Sequence, residues 1–315
     1  MIPSLVDASA VIAVLAIPAN VIWAYVAFGV VFAVGVAAIF VRGGWHKARG
    51  IERLILFGPV FYAAPLAAFG TEHFTVAEGV ASLIPSWIPW HMFWAYFVGV
   101  CLIAAAFSLV TGVRASLAAA LLGVLFLLFV VLMDVPAWAQ EPGNRFSAAL
   151  VLRQLAFSGG ALALAASLAS LNARERGRGA GVLANIARYF VAVPVLFYSV
   201  QQFLHPKYVP AIPLDRVTPE WIPGHAVWTP LAAAIYAVGG ALLLVGTKTR
   251  LAAACLGLTV LLIVLFVYVP LAVADRATLA GINFMADTLM FCGAALLLAG
   301  AMPREASSSE IRNQD

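Results

Sequence analysis

The chain has 315 residues, of which 64% are hydrophobic and only 10% are charged, and its formal net charge is +4. Soluble domains are about half apolar and about a quarter charged, so this composition excludes an ordinary soluble protein and makes the lipid bilayer the main solvent. The basic residues stand mostly in short loops, without the aromatic-interleaved basic stripes of nucleic-acid-binding proteins, so nucleic acid is excluded as a partner.

Nine apolar runs follow one another along the chain, each of about the length that crosses a bilayer. Nothing between them alternates as the strands of an outer-membrane barrel do. We therefore predict an all-α polytopic membrane protein of about nine transmembrane helices. The predicted helices cover residues 21–41, 53–70, 92–111, 116–136, 147–169, 187–204, 227–246, 250–271 and 280–300.

The two ends of the chain differ from this pattern. No Lys or Arg precedes Arg42, which argues against the basic start of a signal peptide, so the first helix is expected to be retained. A short apolar segment precedes that helix. The polar tail, residues 303–315, is predicted to be disordered.

The basic residues also predict the orientation in the membrane. With nine helices and an outside N-terminus, 13 of the 18 Lys and Arg residues lie on one side and the remaining 5 on the other (13 + 5 = 18). Loops rich in Lys and Arg stay in the cytoplasm. We therefore predict a bacterial inner-membrane protein with its N-terminus outside and its C-terminus in the cytoplasm.

An internal repeat relates most of the chain to itself. WIPWHMFW begins at residue 87 and WIPGHAVW at residue 221, an offset of 134 (221 − 87 = 134). The same offset relates LAAALLG at 117–123 to LAAACLG at 251–257. Because each copy holds four helices, an even number, both copies enter the membrane from the same side, and a pseudo-twofold axis along the membrane normal should relate them.

The fold is therefore predicted to be two tandem four-helix bundles in parallel orientation behind one added helix. The predicted organisation is an N-terminal helix with a basic loop (1–50), a first repeat (51–170), a basic cytoplasmic linker (171–186), a second repeat (187–302) and the polar tail (303–315).

Unusual polar residues gather near the predicted outer ends of the helices. Charged groups at membrane depth cost a few kcal/mol each, so they are usually paired or functional. Arg153 and Asp287 are the sharpest cases, because each lies about two turns inside its helix and they occupy neighbouring repeat positions (153 + 134 = 287 and 154 + 133 = 287). The candidate site residues are His73, His91, Asp134, Arg153, His205, His225 and Asp287.

Two interpretations of these charges stay open. In the first, they form an outward-facing polar pocket that binds an ion, a proton or a polar head group. In the second, Arg153 pairs with Asp134, Asp287 pairs with a neighbour, and both pairs only hold the bundle together.

The histidines of the WIPxHxxW segments also have two interpretations. His91 and His225, joined by His73 and His205, are residue types that bind metals or haem. Alternatively, the segments are interfacial turns in which Trp lies at the headgroup level and Pro occupies the first turn of a helix. No HxxxH or HExxH spacing occurs, so no metal site is predicted. Glu72 is expected to be exposed in the outer loop.

Four segments resemble the DoxX-like family of membrane proteins: FGTEHF (69–74), WIPWHMFWAYFVGV (87–100), LAAALLGVLFLLFVVLMDVP (117–136) and LRQLAFSGGALALA (152–165). DoxX-like proteins have four helices, so this chain resembles two of them fused in tandem. The resemblance is clear over 51–168 and looser over 187–300. Where related chains carry a histidine, this chain has Asp134 in one copy and Tyr268 in the other.

The resemblance implies a redox role but no set of catalytic residues. Some DoxX-like proteins are membrane subunits linked to thiosulfate:quinone oxidoreduction, and others accompany thiol-redox enzymes. It implies a redox-associated subunit that interacts with a quinone at the outward-facing polar residues and with a redox partner protein. A small-molecule or ion transporter is one alternative, because duplicated bundles often bind substrates at the repeat interface. A structural or assembly subunit without chemistry is the other.

Overall fold

The computed structural model describes residues 17–172, 178–210 and 216–303. Within these ranges the regular structure is helical, apart from one isolated antiparallel bridge between Tyr208 and Val217. Nine of the helices described are long and apolar enough to cross a membrane. The prediction of an all-α polytopic membrane protein is thereby confirmed.

The membrane-spanning helices are α1 (Ala19–Val41), α2 (Ile51–Thr75), α3 (His91–Thr111), α4 (Ala115–Gln140), α5 (Arg145–Ser170), α6 (Gly179–Leu204), α7 (His225–Val245), α8 (Thr249–Ala274) and α9 (Leu279–Ala301). Each overlaps the run predicted for it. The largest difference is at α6, which begins inside the predicted linker 171–186 and shortens it. The apolar segment predicted before α1 and the tail after residue 303 lie outside the described residues.

The two halves keep the offset of the sequence repeat in their helices. α3 begins at His91 and α7 at His225 (225 − 91 = 134). In α4 and α8 the helix changes to a π-helical turn, at Val130–Asp134 and at Val264–Tyr268, again 134 residues apart (264 − 130 = 134). A proline follows two residues after each turn. Because proline lacks a backbone N–H, it interrupts the regular α-helical bonding, and the widened turn lies next to that interruption.

The last helices of the two halves, α5 and α9, pack against each other at the centre of the molecule. α5 also packs on α6, and α9 on α2, so the last helix of each half contacts the first helix of the other. On the α5–α9 contact, Gly160 faces its repeat equivalent Ala294 (160 + 134 = 294), and a Cβ on Gly160 would lie 2.5 Å from that of Ala294. Small residues permit such close backbone approach. These reciprocal contacts indicate an approximate twofold axis between α5 and α9.

The WIPxHxxW segments are turns that lead into α3 and α7. Each helix begins at its histidine, two residues after the proline, and not at the proline as the interfacial interpretation assumed. The residue before each histidine has a left-handed backbone, with φ of 60° at Trp90 and 70° at Gly224. Glycine adopts this conformation freely, whereas for a residue with a side chain the left-handed backbone is less stable by about 1 kcal/mol.

Candidate functional site

A cavity of about 560 Å³ lies inside the first half. It is near the histidine end, which we define as the end of the bundle where α3, α5, α7 and α9 begin. α2, α3, α4, α5 and α9 all contribute to its wall. The deeper wall is apolar and includes Leu66, Leu102, Phe126 and Phe157. Nearer the histidine end the wall is a polar layer, made by Glu72, His73, Asp134, Arg153, Gln154, Asn283 and Asp287.

Arg153 and Asp287 form an ion pair across the centre of the molecule. Nη1 of Arg153 donates to Oδ2 of Asp287 at 2.6 Å, and both side chains are largely buried. The two residues meet because they occupy equivalent positions on the two helices that flank the approximate twofold axis. The predicted pairing of Arg153 with Asp134 is wrong, since the partner of Arg153 is Asp287 in the other half. That the charges only hold the bundle together stays a hypothesis. Loss of either partner would leave a buried charge alone, which is costly.

Glu72 belongs to this polar layer. It is 9% exposed, so the prediction that it lies exposed in a loop is wrong. The predicted helix ended at residue 70, but α2 continues to Thr75 and carries Glu72 into contact with α9. There Nδ2 of Asn283 donates to Oε2 of Glu72 at 3.1 Å. The polar string TEH resembles the start of a loop, which is why the sequence alone ended this helix too early.

Several buried polar atoms of the layer have no hydrogen-bond partner among the described protein residues. One is a donor, Nε of Arg153. Three are acceptors: Oε1 of Glu72, Oδ2 of Asp134 and Oδ1 of Asn283. Buried polar atoms are nearly always paired with protein, water or ligand. The layer can therefore bind a group that accepts one hydrogen bond and donates others.

Four of the seven candidate residues line the cavity, namely His73, Asp134, Arg153 and Asp287. His73 lies on the last turn of α2, and its Nδ1 is 2.8 Å from the carbonyl oxygen of Phe69 one turn earlier. That contact fixes the imidazole ring within the polar layer. The sequence therefore located four wall residues, although it did not show that they share one cavity.

The other three candidates, all histidines, are not in the wall of this cavity. His91 lies at the first turn of α3, where its Nε2 is 3.2 Å from the carbonyl oxygen of Pro85. His205 packs edge-on against Tyr208, and His225 is exposed at the start of α7. In the part of the chain that the structure describes, no three His, Cys, Asp or Glu side chains group closely enough to hold a metal ion.

In the part of the chain that the structure describes, the second half is filled at the positions where the first half has its polar layer. The equivalent of Asp134 is Tyr268 (134 + 134 = 268), which is 1% exposed and donates its hydroxyl hydrogen to the carbonyl oxygen of Pro210 at 2.8 Å. One residue earlier, half-buried Met133 corresponds to fully buried Val267. Asn283, which orients Glu72, corresponds to Ala149 (283 − 134 = 149). A buried tyrosine and a small apolar residue thus stand in the second half where the polar layer has Asp134 and Asn283.

Comparison with known proteins returns no relative: no family model, no curated protein and no solved structure matches this chain. The DoxX-like resemblance therefore stays a prediction. What the chain does has to be argued from the cavity and its polar layer.

Proposed function

We propose that the protein is a DoxX-like, quinone-binding subunit of a redox system in the bacterial inner membrane, with its N-terminus outside and its C-terminus in the cytoplasm. The observation that carries this proposal is the cavity of the first half, which combines a mostly apolar wall with one polar layer. Its volume of about 560 Å³ falls within the range of small-molecule and cofactor sites, roughly 300–1,000 Å³.

The unpaired atoms of the polar layer fit the two forms of a quinone head group. A quinone carbonyl accepts hydrogen bonds, and the free N–H of Nε on Arg153 can donate one. The hydroxyls of the reduced form donate hydrogen bonds, and the carboxylates of Glu72 and Asp134 have oxygens to accept them. Phe126 and Phe157, whose ring centroids are 5.7 Å apart, supply aromatic walls for a flat ring.

In this proposal the residues of the chain bind and orient the head group. Asp287 holds the side chain of Arg153, which lines the cavity, in place through the ion pair. Asn283 holds the carboxylate of Glu72 in place through the hydrogen bond from its side-chain amide. A bound quinone supplies two-electron chemistry, and a redox partner protein exchanges those electrons with it.

The experiment measures quinone binding to protein purified in mild detergent. The wild-type protein is expected to bind a benzoquinone with a decyl chain at one molecule per chain, and lipid-extract mass spectrometry should show a co-purified quinone. Asp134→Tyr, which copies the residue of the second half, should weaken binding by at least about tenfold because the ring occupies the polar layer. Asp134→Asn is the matched control, since it keeps the shape and one acceptor oxygen.

Two outcomes count against the proposal. Wild-type protein that binds no quinone would contradict it, and equal binding by Asp134→Tyr would show that the quinone binds elsewhere. A purely structural role predicts lower thermal stability in both variants and no ligand in any of them. A transporter would instead show solute flux in proteoliposomes that Asp134→Tyr abolishes.

A further inference from the structure

The cavity of the first half reaches the membrane-facing surface between α3 and α4. Phe97 on α3 and Leu128 on α4 both line the cavity, and they are 48% and 47% exposed. Leu102 and Phe126, which line it on the same two helices, are only 3% and 5% exposed. The wall therefore runs from a buried interior to an open edge. Phe97 on α3 forms one side of this opening, and Leu128 on α4 forms the other.

The opening lies at the level of the lipid chains. Phe97 is six residues from the start of α3 (97 − 91 = 6), and Leu128 is twelve residues from the end of α4 (140 − 128 = 12). At about 1.5 Å per residue these positions are about 9 Å and about 18 Å from the helix ends. The hydrocarbon core is about 30 Å thick. Both residues of the opening thus face acyl chains and not water.

An apolar segment covers the cavity at the histidine end. This segment, residues 80–88, comprises the end of the short helix Ala77–Ser82 and the turn after it, and it contributes Val80, Leu83, Ile84 and Ile88 to the wall. His91 holds it down through the carbonyl oxygen of Pro85. A molecule that came from this end would have to pass the apolar side chains of the segment, of which Leu83 is itself 68% exposed. A molecule from the bilayer meets the opening at Phe97 and Leu128.

The groove described in the second half does not lead to a polar layer. The groove between α7 and α8 has a volume of about 390 Å³, and its wall is apolar apart from the thiol of Cys255. Val238, Leu242 and Leu251 are typical of its lining. An opening that leads from the lipid to buried charges is thus a feature of the first half.

We propose that the ligand of the cavity is a lipid-soluble molecule with a long apolar chain, which enters sideways from the membrane between Phe97 and Leu128. The polar head advances to the layer around Arg153 and Asp134, and the chain stays in the opening. This inference rests on the proposed function for the identity of the head group. To the binding of a quinone head group, the inference adds a long apolar chain on the ligand and a route of entry from the membrane. A quinone head group could bind in the cavity without either of them.

The test compares two repeat-equivalent positions on the membrane-facing surface. Leu128→Trp narrows the opening, and Leu262→Trp makes the same change at the equivalent residue of α8 (128 + 134 = 262), which is 37% exposed. The probe is a tritium-labelled benzoquinone with a decyl chain, and the protein is the full chain in phosphatidylcholine vesicles. Leu128→Trp should slow association on the order of tenfold, because binding must wait for a side chain to move, and Leu262→Trp should leave it unchanged.

A second measurement covers the case in which Leu128→Trp does not fold. The wild-type protein is irradiated with the same quinone carrying a diazirine at the end of its decyl chain. Label in peptides that contain Phe97 or Leu128 is expected. Label in residues 80–88 instead would overturn the sideways route.

The outcomes separate the two proposals. Wild-type protein that binds none of the labelled quinone contradicts the proposed function itself. Wild-type protein that binds it, with equal association rates for Leu128→Trp and Leu262→Trp, leaves the proposed function standing and overturns only the route.

Discussion

The two halves of the molecule share one helical plan and differ in their interiors. Both have a π-helical turn before a proline, and both place their last helix on the approximate twofold axis. Among the described residues, the first half holds a cavity with a polar layer, and Asp287 and Asn283 of the second half complete it. Tyr268 and Ala149 stand where the first half has Asp134 and Asn283. Within a duplicated fold, a few substitutions can thus close one site while the altered copy still contributes to the other.

The largest change in stability is expected from alanine substitutions where the two halves meet, at Gly293 and its equivalent Gly159 (159 + 134 = 293). A Cβ on Gly293 would lie 2.5 Å from the backbone nitrogen of Tyr62, whereas on Gly159 its nearest contact would be the Cβ of Phe190 at 2.9 Å. Gly293→Ala should lower the free energy of unfolding by about 2–3 kcal/mol, because its backbone contact is the closer one. Gly159→Ala, whose nearest backbone atom is the carbonyl oxygen of Ala187 at 3.0 Å, should lower it by about 1 kcal/mol. Thermal unfolding of both variants in one detergent measures this. Equal losses would show that the two interfaces are equally close.

A smaller effect is expected from the tyrosine that closes the second half. Tyr268→Phe removes the hydrogen bond to Pro210 and keeps the ring, so it should lower the free energy of unfolding by about 1 kcal/mol and open no cavity. Tyr62→Phe is the comparison in the first half, because the Tyr62 hydroxyl donates to the carbonyl oxygen of Phe157 at 2.7 Å. Chemical denaturation in detergent measures both. If the free energy of unfolding of Tyr268→Phe equalled that of the wild type, the aromatic ring alone would close the second half.

The smallest effect is expected at a helix–helix hydrogen bond that recurs in both halves. Oγ of Ser158 donates to the carbonyl oxygen of Gly123 at 2.8 Å, and Sγ of Cys292 donates to that of Gly257 at 3.2 Å. Ser158→Cys should cost about 0.6 kcal/mol, and Cys292→Ser should stabilise by a similar amount, because a hydroxyl is the stronger donor. The same unfolding experiment applies. If the free energy of unfolding changed in the same direction in Ser158→Cys and in Cys292→Ser, the two contacts would not be equivalent.

The site could be predicted only in part, because its parts depend on different kinds of information. Arg153 and Asp287 were found from the sequence as equivalent charges inside apolar helices. The burial of Glu72 was missed, because the end of α2 depends on what the helix packs against and not on its own hydrophobicity. His91, His205 and His225 resembled His73 in the sequence, yet none of them lines the cavity.

The sequence by itself determined the membrane class, the nine apolar helices and the offset of 134 between the halves. These are properties of hydrophobic length and residue order, which are local along the chain. Only the tertiary structure decided that Arg153 pairs with Asp287, that Asn283 reaches Glu72 and that the cavity lies in the first half. Those contacts join α2, α5 and α9, which are far apart in the chain. They form because small residues bring these helices together at the axis, where the side chains on the facing surfaces must either pair or pack.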